Sequence, residues 1–483
     1  MILGFKFTIS VSEERKNIMA EEKKYDNLTY QKKSFYEIFG ADSQEVKDAF
    51  RYAKDYMTYL DASKTEREAV VASIAMLEKN GYRPYDLGDE IHAGDRLYYN
   101  NRGKNLFAFR VGSEPINRGI RIVAAHIDSP RLDIKPCPLY EENGTAYFKT
   151  HYYGGIRKYQ WVTVPLALHG VIVRKDGSSF DLNIGEDEKD PIFYVSDLLP
   201  HLGRAQNEKP LGTAIPAEKL NVIVGGLPLT DEKDLKDAIK LNVLRLLNEK
   251  YNMTEHDFLS AELCVVPALK AREVGFDRSM IAGYGHDDRV CAYPALTALL
   301  AADDSVHTHM VILADKEEIG SEGATGMQCE FVLDLIDALA EALGGKASVI
   351  RAHSKCLSSD VTANFDPNYP DVFELRNASI INCGVSIAKY TGSGGKGGTN
   401  DASAEYTAWV RNTLDAAGVV WQIAELGRVD AGGGGTVAKY LSKHNIDTID
   451  IGVGVTSMHA PYELIAKADL YEAHRAFLAF LRA

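Results

Sequence analysis

The chain has 483 residues, 45% of them hydrophobic and 25% charged, with 54 basic against 68 acidic side chains and a formal net charge of −14. That is enough apolar material for a large core spread over two to three domains. The acidic balance argues against a nucleic-acid-binding surface and against adhesion to anionic membranes, and no apolar run reaches the roughly 18 residues that a membrane-spanning helix needs.

The N-terminal stretch MILGFKFTISVSEERKN starts with five apolar residues and then alternates, without the apolar centre of a signal peptide. Met19 opens MAEEKKYDNL, which reads as a natural start, so residues 1–18 are expected to be an upstream extension without order. Helical spacing of apolar residues predicts helices over 43–60 and 63–80. Ser43 is the expected cap of the first, and Ser63 with Glu66 the expected capping box of the second. The run RIVAAHI at 121–127 predicts a buried strand that carries His126 and delivers Asp128 just beyond its end.

From 136 to about 230 short alternating runs and turns at Asn143-Gly144 and Asp176-Gly177 predict antiparallel strands, followed by a helix near 231–250. Strand and helix then alternate. THMVILADKEE ends a strand in charge, FVLDLIDALAEAL and NDASAEYTAWVRNTLDAAG are helices, VVWQIAEL and TIDIGVG are strands, and 464–482 is a terminal helix. The fold class expected is α/β, with a mixed, mostly parallel central sheet and helices on both faces. Residues 1–135 and 272–483 build it, and a β-rich insert at 136–271 interrupts it. Six cysteines without a CxxC pair predict free thiols and a cytoplasmic location.

Five groups of polar residues sit at predicted strand ends or just after them: His126 with Asp128, Asp287-Asp288-Arg289, Glu317-Glu318, Asp360 and His459. Singly each has a bland reading, as a core histidine, a solvated pair or a helix cap. Together they place imidazoles and carboxylates where open α/β sheets bind ligands. Residues 126 and 128 share one face of a strand, so Asp128 can hold the second nitrogen of His126. Of two adjacent carboxylates, one can bind metal while the other acts as base. Such a donor set without thiolate suits zinc, manganese or cobalt. One bridging carboxylate would make a two-metal centre about 3.5–4 Å across.

The motifs AAHIDSPRLDIKP, GHDDRVCAY, DKEEIGSEGATG, SSDVTANFDPNYP and TSMHAPYEL, in this order, resemble the aspartyl aminopeptidase/aminopeptidase I family of co-catalytic zinc metallopeptidases over roughly residues 80–483. The resemblance implies a zinc-exopeptidase-like catalytic fold, removal of N-terminal residues from peptides, and two metal ions per subunit. It implies that His126 and Asp360 ligate one ion, that Glu318 and His459 ligate the other, and that Asp287, rather than Asp288, bridges both. Asp128 would orient His126, and Glu317 would be the general base. His201 in DLLPHLGR resembles a histidine that relatives send into the neighbouring active site, and an ordinary surface histidine fits that match equally.

Lys389 matches a substrate-pocket lysine, yet it is followed by YTGSGGKGGTNDA instead of the Gln-Arg-Tyr-Ala stretch of many aspartyl-type relatives. Acidic N-terminal residues are therefore expected to be accepted, but not exclusively. GSGGKGG lacks phosphate-loop spacing, and AGGGGT at 431–436 reads as tight packing near the site. The resemblance further implies that the insert is a dimerisation domain and that dimers assemble into a dodecamer. Its run VTVPLALHGVIV is more apolar than a small solvated sheet leaves uncovered. Two other readings of the residues are a related metal-dependent amidohydrolase, either deacylase or carboxypeptidase, and a non-catalytic scaffold on the same fold.

Overall fold

A computed structural model describes residues 28–230, 235–302 and 306–483. The expected extension, residues 1–18, lies outside the described residues. Helix α1 (Gln44–Asp61) is capped as predicted, the Ser43 hydroxyl accepting from the Val46 N–H at 3.2 Å. Helix α2 (Glu66–Lys79) begins later than expected. Its cap is Thr65, and Glu68 rather than Glu66 closes the capping box. Ser63 instead donates to the Tyr59 carbonyl at 2.6 Å, and Glu66 is buried against the Arg131 guanidinium at 2.8 Å. A tertiary ion pair has taken the acid that the local pattern assigned to the cap.

Strands β1 (Arg83–Pro84), β2 (Arg96–Asn101), β3 (Asn105–Arg110) and β4 (Ile120–His126) start the central sheet. A second, antiparallel sheet takes the next seven: β5 (Arg131–Glu142), β6 (Thr145–Tyr153), β7 (Leu166–Val173), β8 (Ser179–Ile184), β9 (Tyr194–Val195), β10 (Val222–Gly225) and β11 (Glu262–Pro267). Its order is β8-β7-β11-β5-β6-β10-β9, with helix α3 (Ala238–Tyr251) against it and a core of its own around Leu132, Phe148, Trp161 and Val265. Asn143 and Gly144 join β5 to β6 with φ of 48° and 82°, the left-handed pair of a tight hairpin turn.

The chain then returns to the central sheet through β14 (Thr308–Ala314), β15 (Lys355–Ser358), β17 (Val385–Ala388), β18 (Trp421–Ile423) and β19 (Asp447–Gly452). Among the described residues nine strands run β1-β2-β3-β14-β4-β15-β19-β17-β18. Neighbours β14, β4, β15 and β19 pair in parallel, whereas β3 and β17 enter antiparallel. Two short sheets flank it: β12 (Arg272–Val274), β13 (Met280–Gly283) and β21 (Glu463–Ala466) form one, β16 (Thr362–Ala363) and β20 (Gly454–Val455) the other.

The central strands read as continuous apolar runs because both faces are covered. Ile122, Ala124, Met310 and Ile312 pack against α5 (Phe331–Ala342) on one side. Val123, Ala125, Val311 and Leu313 pack on the other, against α1, α2, α4 (His286–Ala301), α6 (Ala404–Ala416) and α7 (Lys467–Arg482). The last helix starts at Lys467, not 464. Residues 463–466 pair with β13 in the register Met280↔Ala466 to Gly283↔Glu463.

Candidate active site

Parallel pairing aligns the carboxyl ends of β14, β4 and β15. There His126 ends β4, Glu317 and Glu318 form the turn after β14, and Asp360 follows β15 by two residues. Asp287 sits at the start of α4 with non-helical φ and ψ of −78° and 104°. His459 comes from the loop between β20 and β21 with φ of 64°.

These side chains converge. His126 Nε2 lies 3.1 Å from Asp287 Oδ1 and 3.6 Å from Asp360 Oδ1. His459 Nε2 lies 3.2 Å from Asp287 Oδ2 and 3.4 Å from Glu318 Oε1. Each oxygen of Asp287 thus faces a different imidazole. The carboxylate of Glu317 groups with His126 and Asp360, that of Glu318 with His126 and Asp287, all donor atoms of each group within 4.8 Å.

The far nitrogens are fixed. His126 Nδ1 donates to the Asp128 carbonyl at 3.1 Å, and His459 Nδ1 to the Gly155 carbonyl at 2.9 Å, which leaves each Nε2 facing the centre. The Asp128 carboxylate accepts the amide N–H groups of Glu317 and Glu318, both at 3.1 Å, and the Tyr153 hydroxyl at 2.9 Å. Tyr153 ends β6 and Gly155 follows it, so one turn of the second sheet reaches into the centre. Gly154 between them has φ of 73°, which favours glycine, and a β-carbon there would crowd Glu318 Oε2 at 3.1 Å.

Burial raises the acids. Glu317 is pushed up to about 8 by burial and by the neighbouring Asp360 charge. Burial, with Asp287 alongside, holds Glu318 well above the carboxylate range, and burial lifts Asp360 too. Burial opposes the charged forms of both histidines, but the surrounding carboxylates win. Asp128, Asp287 and Asp360 hold His126 well above its usual value, and Asp287 with Glu318 raises His459 to about 10. Asp287 goes the other way, because the two imidazoles beside it outweigh its burial. The protein on its own balances this acidic pocket with protons, which a bound cation would displace.

Two candidates stand apart from the cluster. Lys389 follows Ala388, whose side of β17 faces the centre, and alternation turns Lys389 away. Its ammonium pairs with Asp401 at 2.7 Å, and Lys389 lines a separate recess with Tyr30 and Trp421. His201 lies exposed in the short turn Pro200–Leu202 and does not line the central cavity. Three contributors escaped the sequence reading: Tyr153, Gly155 and Glu463. Glu463 lies in the TSMHAPYEL motif, four residues after His459, which was the available signal.

A family model for aminopeptidase I zinc metalloprotease (M18) matches residues 59–481. The chain belongs to this family. It is an M18 aminopeptidase. "Probable M18 family aminopeptidase 1" of Clostridium acetobutylicum is 48% identical over 448 residues, covering 91% of this chain and 96% of that one. The crystal structure of a Thermotoga maritima M18 aminopeptidase superposes with a TM-score of 0.89 at 42% identity, covering 94% and 99% of the two chains. The S. cerevisiae mApe1 dodecamer shares the fold at 20% identity, with a TM-score of 0.73 over 89% of this chain and 96% of that one.

The donor geometry of this M18 aminopeptidase fits the zinc its family binds. Two donors on one tetrahedral zinc stand about 3.4 Å apart, which matches the 3.1–3.6 Å separations between the imidazole and carboxylate atoms. Asp287 Oδ1 and Glu318 Oε1 are buried and make no hydrogen bond, although an imidazole nitrogen is near each. In front of the cluster opens a cavity of about 540 Å³, walled by glycines 432–435 and by Ser386, Ala388 and Tyr390. Gly433 backs onto Gly392, so its wall is bare backbone: a β-carbon there would strike the Gly392 carbonyl at 2.1 Å.

Proposed function

We propose that the aminopeptidase works with two zinc ions bridged by Asp287, with Glu317 as general base. The carrying observation is the placement of Asp287, one oxygen toward His126 and the other toward His459. His126 and Asp360 would hold one ion, Glu318 and His459 the other. When bound, such a pair polarises the scissile carbonyl and acidifies water. Asp128 acts behind the ligands, fixing His126 and the amides of Glu317 and Glu318. Glu317 takes the proton of the attacking water and passes it to the leaving amine. The walled cavity seats the N-terminal residue.

The test is a panel of aminoacyl and N-acyl chromogenic amides, assayed after chelation and reloading with zinc, manganese or cobalt. Free aminoacyl amides should be cleaved only by metal-loaded protein. Faster cleavage of N-acyl amides would make the protein a deacylase-type amidohydrolase. Within that panel, Lys389→Ala is expected to leave the aspartyl-to-leucyl ratio of kcat/KM unchanged, because Lys389 points to Asp401. A fall in that ratio would return Lys389 to the pocket.

The same reading extends to assembly. Strands β5–β11, with exposed Ile192, Leu198, Leu199, Leu202 and Leu211 nearby, offer an apolar face for a second copy. His201 lies in the exposed turn that carries Leu202. Dimers would assemble into a dodecamer, the form in which mApe1 is described. Sedimentation velocity at micromolar concentration should show a large oligomer, and a monomer alone would sink the proposal. All six cysteines are free thiols, which supports a cytoplasmic place of action.

A further inference from the structure

Glu463 opens β21 behind the ligand set and is 2% exposed. Its Oε2 accepts the amide N–H of Asp287 at 3.0 Å, and its Oε1 accepts the amide N–H of His459 at 2.7 Å. These two residues come from distant segments, the start of α4 and the loop before β21. On the opposite side their side chains meet, His459 Nε2 at 3.2 Å from Asp287 Oδ2. One carboxylate therefore spans the two backbones whose side chains face the centre.

Both residues need such a hold. His459 has φ of 64°, a left-handed conformation that residues with a β-carbon seldom adopt. Asp287 lies in the first turn of α4, where an amide N–H has no acceptor within the helix and can reach Glu463. A carboxylate suits two converging N–H donors because both of its oxygens accept. A glutamine offers one accepting oxygen, and its NH₂ group would oppose the second N–H.

We infer that Glu463 is a positioning residue that sets the spacing of Asp287 and His459 before metal arrives. The inference rests on the reading that these two residues share an ion. Supporting groups behind metal ligands typically change metal affinity 10–100-fold. Glu463→Gln should weaken zinc binding at one site by that factor, measured by chelator competition. The chelated variant should melt within a few degrees of chelated wild type and gain less from zinc. A merely structural role would lower both melting temperatures alike and leave zinc affinity unchanged, which overturns the inference. Glu463→Asp, charged but one methylene shorter, should lose affinity in the same way.

Should neither variant fold, amide hydrogen exchange in chelated wild type decides. Slow exchange at Asp287 and His459 supports a clamp that exists without metal, and fast exchange at either overturns it. Failure of the underlying reading looks different: wild type itself would bind no ion involving both residues.

Discussion

Glu317→Gln is expected to lower kcat by about 10²–10⁴-fold while the protein keeps its metal, fold and assembly. That range corresponds to about 3–5.5 kcal/mol of transition-state stabilisation. Glutamine preserves the size of the side chain but cannot take a proton from the attacking water. Burial beside Asp360 raises Glu317 to about 8 in the metal-free protein, so its carboxylate holds a proton more readily than an exposed acid would. The neighbouring change, Glu318→Gln, should differ in kind. Its oxygen lies 3.4 Å from His459 Nε2, and replacing it would remove one of the proposed ligands. Metal analysis together with kcat separates the two. If Glu317→Gln loses metal and Glu318→Gln keeps it, the roles are reversed. Full turnover by metal-loaded Glu317→Gln would remove Glu317 from the reaction.

Asp287→Asn should lower metal content more than any other single change, because its two oxygens face the two halves of the centre. Asparagine keeps the shape but presents an NH₂ group toward one of the two imidazoles and carries no charge to balance a cation. Both ions should bind more weakly, and kcat/KM should fall about 10³-fold or more, ~4 kcal/mol. The expected measurement is a metal content well below that of wild type after dialysis, with the chelated protein still folded. A variant that keeps both ions and most of its activity would show that Asp287 does not bridge.

Much of this arrangement was legible in the sequence because it depends on local signals. RIVAAHI and THMVILA announce strands buried on both faces, and each ends where polar residues begin. Parallel pairing of β14, β4 and β15 then brings His126, Glu317 and Asp360 to one edge. What the sequence hid depends on long-range contact or on a register of one residue. Lys389 sits one position past Ala388, and alternation along β17 sends consecutive side chains to opposite faces. Tyr153 and Gly155 act across two sheets, through a hydroxyl and a backbone carbonyl that carry no motif. Strand β21 merges into the following helix because its four residues are too few to show a period. The cap of α2 moved to Thr65 because Arg131 and Lys104, on other elements, claim Glu66.

The central claim is that five side chains hold two metal ions on a shared aspartate. Its most direct test is a crystal structure of the zinc-loaded protein with anomalous data collected at the zinc edge. Two anomalous peaks about 3.5–4 Å apart are expected. One should be bound by His126 and Asp360, the other by Glu318 and His459, with an Asp287 oxygen on each. A single peak, or two peaks of which only one touches Asp287, would contradict it.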